Sequence, residues 1–278
     1  MNEVTEHRVG DASGAASDEL LCEITDGVAV LTINRPEVMN AFSDAMRAAM
    51  FARLGVLEAD PEVRCIMITG HGKAFSAGGD IPNMIRLQEA DDSSLIGQRI
   101  GMASDVMQRI RHLPKPVVAA VNGPAAGGGM NLALGCDIRV GSTKALFTEA
   151  FVKIGLVPDW GGFQALTRLV GTAKAMEWMM TGDRIDAEEA QRLGLLNALY
   201  PAETFRDDAL AFCRRLARGP AEALAAIKAG VYLGAEGSLA DVFAYEKRVQ
   251  TALFLSQDAR EGMRAFVEKR PPKFGGGD

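Results

Sequence analysis

The sequence predicts an α/β protein with buried parallel strands and a helical C-terminal region. Three observations predict it. The short apolar runs Cys65–Thr69 and Pro116–Val121 have the composition of strands covered on both faces. Glycine-rich turns follow both runs, and the second turn opens into a helical pattern, so strand, turn and helix recur. From Ala187 onward the periodicity is almost wholly helical.

The elements follow in order. Two β-rich runs between Cys22 and Ile33 flank Asp26-Gly27, the signal of a type I′ hairpin turn, and Asn34-Arg35-Pro36 ends the second strand. Ser43 is a good helix N-cap, and the apolar spacing from Ala45 to Leu57 is helical. After the strand at 65–69 comes a glycine-rich loop, Gly70 to Asp80. Asp91 to Ser94 reads as a mobile, solvated segment, and Ser104 to Leu113 as a helix stopped by Pro114. The strand at 116–121 leads through Gly127-Gly128-Gly129 into a helix from about Met130 to Gly135, and Ile138 to Val140 is a further strand. Helices are then expected at 187–193, 203–217, 220–230, 238–255 and 258–268. The division predicted is a disordered tail at 1–18, a domain at 19–200 and a helical region at 201–278.

Composition narrows the function. The 278 residues carry a net charge of −6, which argues against a nucleic-acid binder. The 21 residues from Pro116 to Cys136 hold no charge and include a GxxxG spacing, the look of a membrane helix. Two prolines, two asparagines and the glycine run make a buried strand, turn and helix the better reading. Four widely spaced cysteines form no CxxC pair, so they fit reduced thiols in a cytoplasmic protein and no zinc site. There are 30 glycines, where average composition gives about 20, and only three histidines, His7, His71 and His112.

No P-loop, GxGxxG or GxSxG sequence is present, so nucleotide-phosphate sites and the hydrolase elbow are not indicated. Two glycine loops have a coherent use together. Ala74-Phe-Ser-Ala-Gly-Gly-Asp-Ile follows one buried strand, and Gly127-Gly128-Gly129 follows another and opens a helix. Unobstructed backbone N–H groups at such places make an oxyanion hole, and a helix N-terminus adds partial positive charge. Each loop taken alone fits a tight turn with close packing equally well.

Taken together, the loops resemble the crotonase superfamily, the enoyl-CoA hydratase/isomerase family. The matching pieces are Arg35-Pro-Glu-Val-Met-Asn40-Ala41-Phe42, the loop from Ala74 to Ile81, the run from Asn122 to Asp137, Phe151-Val-Lys-Ile-Gly-Leu-Val-Pro-Asp159-Trp-Gly-Gly, and the ending from Gly262 to Phe274. The resemblance covers residues 20–274 in the right order. It implies a spiral of ββα turns followed by a helical trimerisation region, in trimers or hexamers, acting on an acyl-CoA thioester with no separate cofactor and no metal. By position, the N–H groups of Gly79 and Gly128 would bind the thioester oxygen. Arg35, Asn40, Ala41, Ala77, Asp80, Ile81 and Pro124 would border the CoA and acyl groups. Phe266 and Lys269 would reach CoA from a neighbouring subunit.

The resemblance also bears on the reaction. Hydratases of this family use two glutamates, at positions that here hold Asn131 and Phe151. Asparagine orients a water but takes up no proton near neutral pH, and phenylalanine does neither. Asp159, before Trp160, stands where some family isomerases carry an aspartate, and its surroundings are most similar to the phenylacetate-pathway isomerases. The expectation is that Asp159 shuttles a proton between two carbons of an enolised acyl-CoA, its pKa raised by burial beside Trp160. The alternatives are a hydratase using Asp159 and a water on Asn131, or a non-catalytic CoA-binding oligomer. Glu149 is the rival carboxylate, expected on a strand facing away from the pocket. Asp80 is expected to fix its loop by hydrogen bonding.

Overall fold

The computed structural model describes residues 18–91 and 93–275. The expected N-terminal tail, up to residue 17, and Asp92 of the expected mobile segment lie outside the described residues.

Strands β1 (Leu20–Thr25) and β2 (Val28–Ile33) form the hairpin, with Asp26 and Gly27 both at positive φ, as a type I′ turn requires. Helix α1 (Asp44–Ala59) starts on Ser43, whose hydroxyl accepts from the Met46 N–H. Then come β3 (Cys65–Gly70), α2 (Ile81–Glu89), α3 (Ser93–His112), β4 (Val117–Val121), β5 (Pro124–Ala126), α4 (Gly128–Gly135), β6 (Ile138–Ser142) and β7 (Leu146–Thr148). A 3₁₀ turn at Ala150–Ile154 leads to α5 (Gly162–Thr181), β8 (Ile185–Asp186), α6 (Ala187–Arg192) and β9 (Ala198–Tyr200). Helices α7 (Phe205–Ala217), α8 (Ala221–Glu236), α9 (Leu239–Phe254) and α10 (Gln257–Glu268) close the chain.

The main sheet has the order β1-β2-β3-β4-β6-β9, parallel from β2 onward, and a small second sheet has the order β5-β7-β8. Each later turn of the chain thus lays one strand in the main sheet and a short one in the second, which is the ββα spiral. Alternation within the strands serves two cores. Ala29, Leu31, Ile66, Ile68, Ala119 and Val121 join the larger core with α1, α3, α4 and α5, while Val30, Met67, Val118 and Val140 pack on α7. This two-sided burial is why the strands read as continuous apolar runs.

The structure departs from the expected elements in several places. Asp91 has positive φ, and α3 begins at Ser93, eleven residues earlier than the predicted helix start at Ser104. Helix α4 begins at Gly128, because its first turn is made of the glycines themselves. The strand β9 lies between the helices expected at 187–193 and 203–217 and pairs with β6. The uncharged run from Pro116 to Cys136 becomes β4, β5 and α4, and among the described residues no helix is long and apolar enough to cross a membrane. All four cysteines are free thiols.

Helix α8 is pinned to the spiral by a half-buried cluster. The Lys228 ammonium lies 2.8 Å from the Asp137 carboxylate and donates to the carbonyls of Ile110 and Lys115, and the Tyr232 hydroxyl donates to Asp137. Burial outweighs the Lys228 charge and holds the Asp137 carboxyl above its usual range. Beyond this anchor, α8–α10 leave large apolar side chains open, among them Val231, Phe243, Phe254 and Phe266.

Candidate active site

The site begins where the two glycine loops meet. The chain entering from β3 is held by a bridge between Phe42 and Gly79 and another between Ser76 and Ala125. Gly78 has φ +81°, and a Cβ there would lie 2.5 Å from the Ala126 carbonyl oxygen and 3.0 Å from the Gly128 nitrogen. Only glycine lets the loops approach this closely. Gly127, at φ +50°, turns the chain into α4, so that Gly128 is the first residue of the helix. Its N–H has no partner within the helix, which is the general condition of a first-turn amide. Among the described residues no loop or cap bond takes up the Gly79 or Gly128 N–H. Two free donors, one at a helix N-terminus, therefore stand on touching loops.

Asp159, whose neighbour Trp160 packs over Gly128, lies on the turn into α5. Its main-chain carbonyl accepts from the Gly162 N–H at 2.9 Å and from Asn131 Nδ2 at 2.9 Å, so the turn is tied to α4. A Cβ on Gly162 would fall 2.3 Å from the Asn131 amide nitrogen, and glycine is what lets the clamp close. Trp160 adopts φ +50°, uncommon for a bulky residue, and Gly161 has φ +74°. That backbone buries the Trp160 indole against Phe42, with ring centroids 4.8 Å apart, and over Gly128. Phe151 lies against Gly127. The aromatic wall dries the site. One Asp159 oxygen, Oδ1, is buried with no hydrogen-bond partner, and burial pushes the carboxyl up to about 6 against the opposing pull of Arg47.

Two more charged residues belong to this neighbourhood, and only Arg47 escapes sequence reading. Arg47, on the second turn of α1, is buried, pairs with Asp44 at 2.9 Å, and acts electrostatically on Asp159. The one available signal was a charge within an apolar helical stripe, beside Met46 and Met50. Glu149 is the correction. It does not face away from the site on a strand but caps the 3₁₀ turn after β7, fully buried, with its carboxyl against Asn131. Desolvation, reinforced by the Asp159 charge, pushes it up to about 8.

The remaining expected residues divide into framework and rim. Arg35 is a clamp: its guanidinium donates to the Ala41 carbonyl at 2.7 Å and to Asp80 at 3.2 Å, and pairs with Glu19 at 3.1 Å. Asp80 also caps α2 by accepting from the Asn83 N–H, so it serves its loop. The Asn40 side chain is buried and donates to the His71 and Ala74 carbonyls, and its backbone N–H and carbonyl are bonded to Arg35 and Ser76, so Asn40 is framework. Ala41 is buried, Ala77 and Ile81 are exposed on the loop, and Pro124 starts β5. Met84 reaches over Gly79. Phe266 and Lys269, at the end of α10, are exposed and are not brought to this site within the chain. Among the described residues no cluster of acidic, histidine and cysteine side chains is placed to hold a metal.

Comparison with known proteins identifies the arrangement. The sequence profile described as enoyl-CoA hydratase/isomerase matches residues 23–277. This chain belongs to the enoyl-CoA hydratase/isomerase family. A family member from Rhodobacter capsulatus, named "Probable enoyl-CoA hydratase", is 43% identical over 91% of this chain and 96% of its own length. The 1,2-epoxyphenylacetyl-CoA isomerase of Escherichia coli is 38% identical over 92% of this chain and 98% of its own. The crystal structure of an enoyl-CoA hydratase from Polaromonas sp. JS666 superposes with a TM-score of 0.88 at 33% identity, covering 92% of this chain and 99% of that one. The fold is that of crotonase. Family members named hydratase and isomerase match alike, so the reaction must be argued from the site.

Proposed function

We propose that the protein isomerises the double bond of enoyl-CoA thioesters, with Asp159 as the proton carrier. The observation that carries this reading is the composition of the acid–base positions. Asn131 and Phe151 supply no proton carrier where hydratases have glutamates, while Asp159 has a desolvated oxygen without a partner and a carboxyl raised to about 6. In the reaction the Asp159 carboxylate takes a proton from the α carbon of a 3-enoyl thioester. The C–H electron pair moves into a dienolate, whose oxyanion receives the Gly79 and Gly128 N–H groups. Asp159 then returns the same proton to the γ carbon, leaving the 2-enoyl isomer and a regenerated carboxylate. A 1,3-shift is proton-neutral, so one carboxyl suffices. Each oxyanion donor is worth about 10²–10³ in rate.

A second reading has the observation that a 43% identical relative is named a hydratase. There Asn131 would hold the attacking water and Asp159 would manage its protons. Against it, Asn131 is fully buried and its Nδ2 donates to the Asp159 carbonyl. The experiment is product analysis after incubation with 2-enoyl- and 3-enoyl-CoA. Isomerisation keeps the mass and moves the double bond. A product heavier by one water, with no migrated double bond, would overturn the proposal in favour of hydration.

The proposed assembly is a homotrimer, or a hexamer of two trimers, formed through the open apolar faces of α8–α10, with Phe266 and Lys269 meeting CoA bound to a neighbouring subunit. The cofactor requirement proposed is none, CoA being part of the substrate.

A further inference from the structure

Near Asp159 lie two buried polar groups, with three unpartnered atoms between them, that the shuttle does not use. Glu149 is fully buried, and neither of its oxygens has a hydrogen-bond partner. Asn131, also fully buried, has its Nδ2 on the Asp159 carbonyl but its Oδ1 unpartnered. The Asn131 amide acts on the Glu149 carboxyl and pulls it down, yet neither carboxyl oxygen has a hydrogen bond of normal geometry. Buried polar atoms are rarely left this way, because each orphan costs about 1–3 kcal/mol. An ionised Glu149 offers only acceptors and leaves Oδ1 without a donor; a neutral acid supplies the missing O–H.

We propose that Glu149 is a positioning residue for Asp159: as the neutral acid it donates to Asn131 Oδ1 and so fixes the amide that anchors the Asp159 turn. The proposal rests on the reading of Asp159 as proton carrier. It gives a role to a carboxyl near the reacting group. The hydrogen-bond direction runs Glu149 O–H to Asn131 Oδ1, then Asn131 Nδ2–H to the Asp159 carbonyl. With that chain complete, the amide cannot turn over, and the Asp159 turn keeps its place.

The charged groups around the pair leave the neutral state favoured. Asp159 itself acts on Glu149 and opposes a second negative charge. Arg47, from α1, acts on Asp159, and its own charge is shared with Asp44, which Arg99 also meets. On the turn that carries Glu149, the Lys153 side chain packs over Gly182. From β8, Asp186 caps α6 by accepting from the Glu189 N–H. Glu149 titrates near 8, since burial dominates its surroundings. Above that pH it can no longer donate. Asn131 Oδ1 then has no donor, and the amide that anchors the Asp159 turn is held on one side only.

The test reads the pH profile of kcat for double-bond migration in the full-length protein and in Glu149→Gln. Wild type is expected to lose about tenfold in kcat per pH unit above about 8. Glutamine donates to Oδ1 without titrating, so the variant is expected to lack this alkaline fall. An unchanged fall in Glu149→Gln would overturn the proposal. A second measurement needs no variant: the infrared carbonyl band of a protonated carboxyl should persist at pH 7, where Asp159 is ionised, and vanish near pH 8. Absence of that band overturns the proposal whatever the activity. Asp159→Asn separates the two ideas. If it keeps full turnover, the proton-carrier reading fails. If it is inert while the Glu149→Gln profile matches wild type, only the Glu149 role fails.

Discussion

Replacing Asp159 by asparagine should make the protein more stable and nearly inactive at once. In the unfolded chain an aspartyl carboxyl ionises near pH 3.8, whereas in the fold it holds its proton to about 6. The native state therefore binds more protons than the unfolded state between those values. Stability then falls as pH rises through this window, and the full penalty is present above about 6. Two pKa units correspond to about 3 kcal/mol. Asparagine is nearly isosteric and carries no charge, so the variant avoids this penalty. At pH 7 the gain should approach 3 kcal/mol, and at pH 4 it should disappear. A chain of this size moves by roughly 2–4 °C per kcal/mol, so Tm at pH 7 should rise by several degrees. Loss of a general base removes about 10²–10⁴ in kcat. Thermal unfolding of wild type and variant at pH 4 and pH 7, beside turnover at pH 7, is the assay. A variant less stable than wild type at pH 7 would refute the reasoning, because it would mean that Asp159 is satisfied in the fold.

Three further outcomes follow from the geometry. Gly128→Pro removes one oxyanion donor at the first helical position, so kcat should drop by about 10²–10³, and because a Cβ at Gly128 would lie 3.1 Å from the Trp160 indole, Tm should fall as well. Arg35→Met frees Asp80 and the Ala41 carbonyl from their clamp; it should lower stability by about 1–3 kcal/mol in urea unfolding and raise KM for the CoA substrate. Lys228→Met leaves the buried Asp137 carboxylate without its cation and should cost about 3–5 kcal/mol, read from the denaturation midpoint.

Much of the fold was legible because its strands are buried on two sides. Continuous runs such as Cys65–Thr69 announce themselves in the sequence, and so do the Asp26-Gly27 hairpin and the Ser43 cap. Helix α5 was less legible. It starts after two left-handed residues with no side-chain cap and is broken at Gly171, so its periodicity is interrupted. Strand β9 was hidden for another reason: Ala198–Tyr200 is three residues long and becomes a strand only by pairing with β6. At the site, the glycines and Asp159 stood out as local patterns. Glu149 stood out only as a rival carboxylate and Arg47 not at all, because their meaning lies in what faces them. The partners of Glu149 come from α4 and from the turn before α5. Arg47 sits more than a hundred residues from Asp159 in sequence. Arg35 and Asn40 read as ligand-facing from their place in the motifs, yet the structure spends their side chains on holding the loops together, the role expected for Asp80.

The account turns on one carboxyl carrying one proton between two carbons. A 3-enoyl-CoA labelled with deuterium at the α carbon tests this directly. The account predicts a 2-enoyl-CoA of unchanged acyl composition with deuterium delivered to the γ carbon, and no such transfer in Asp159→Asn. A 3-hydroxyacyl product, or migration with complete loss of the label to solvent, would contradict it.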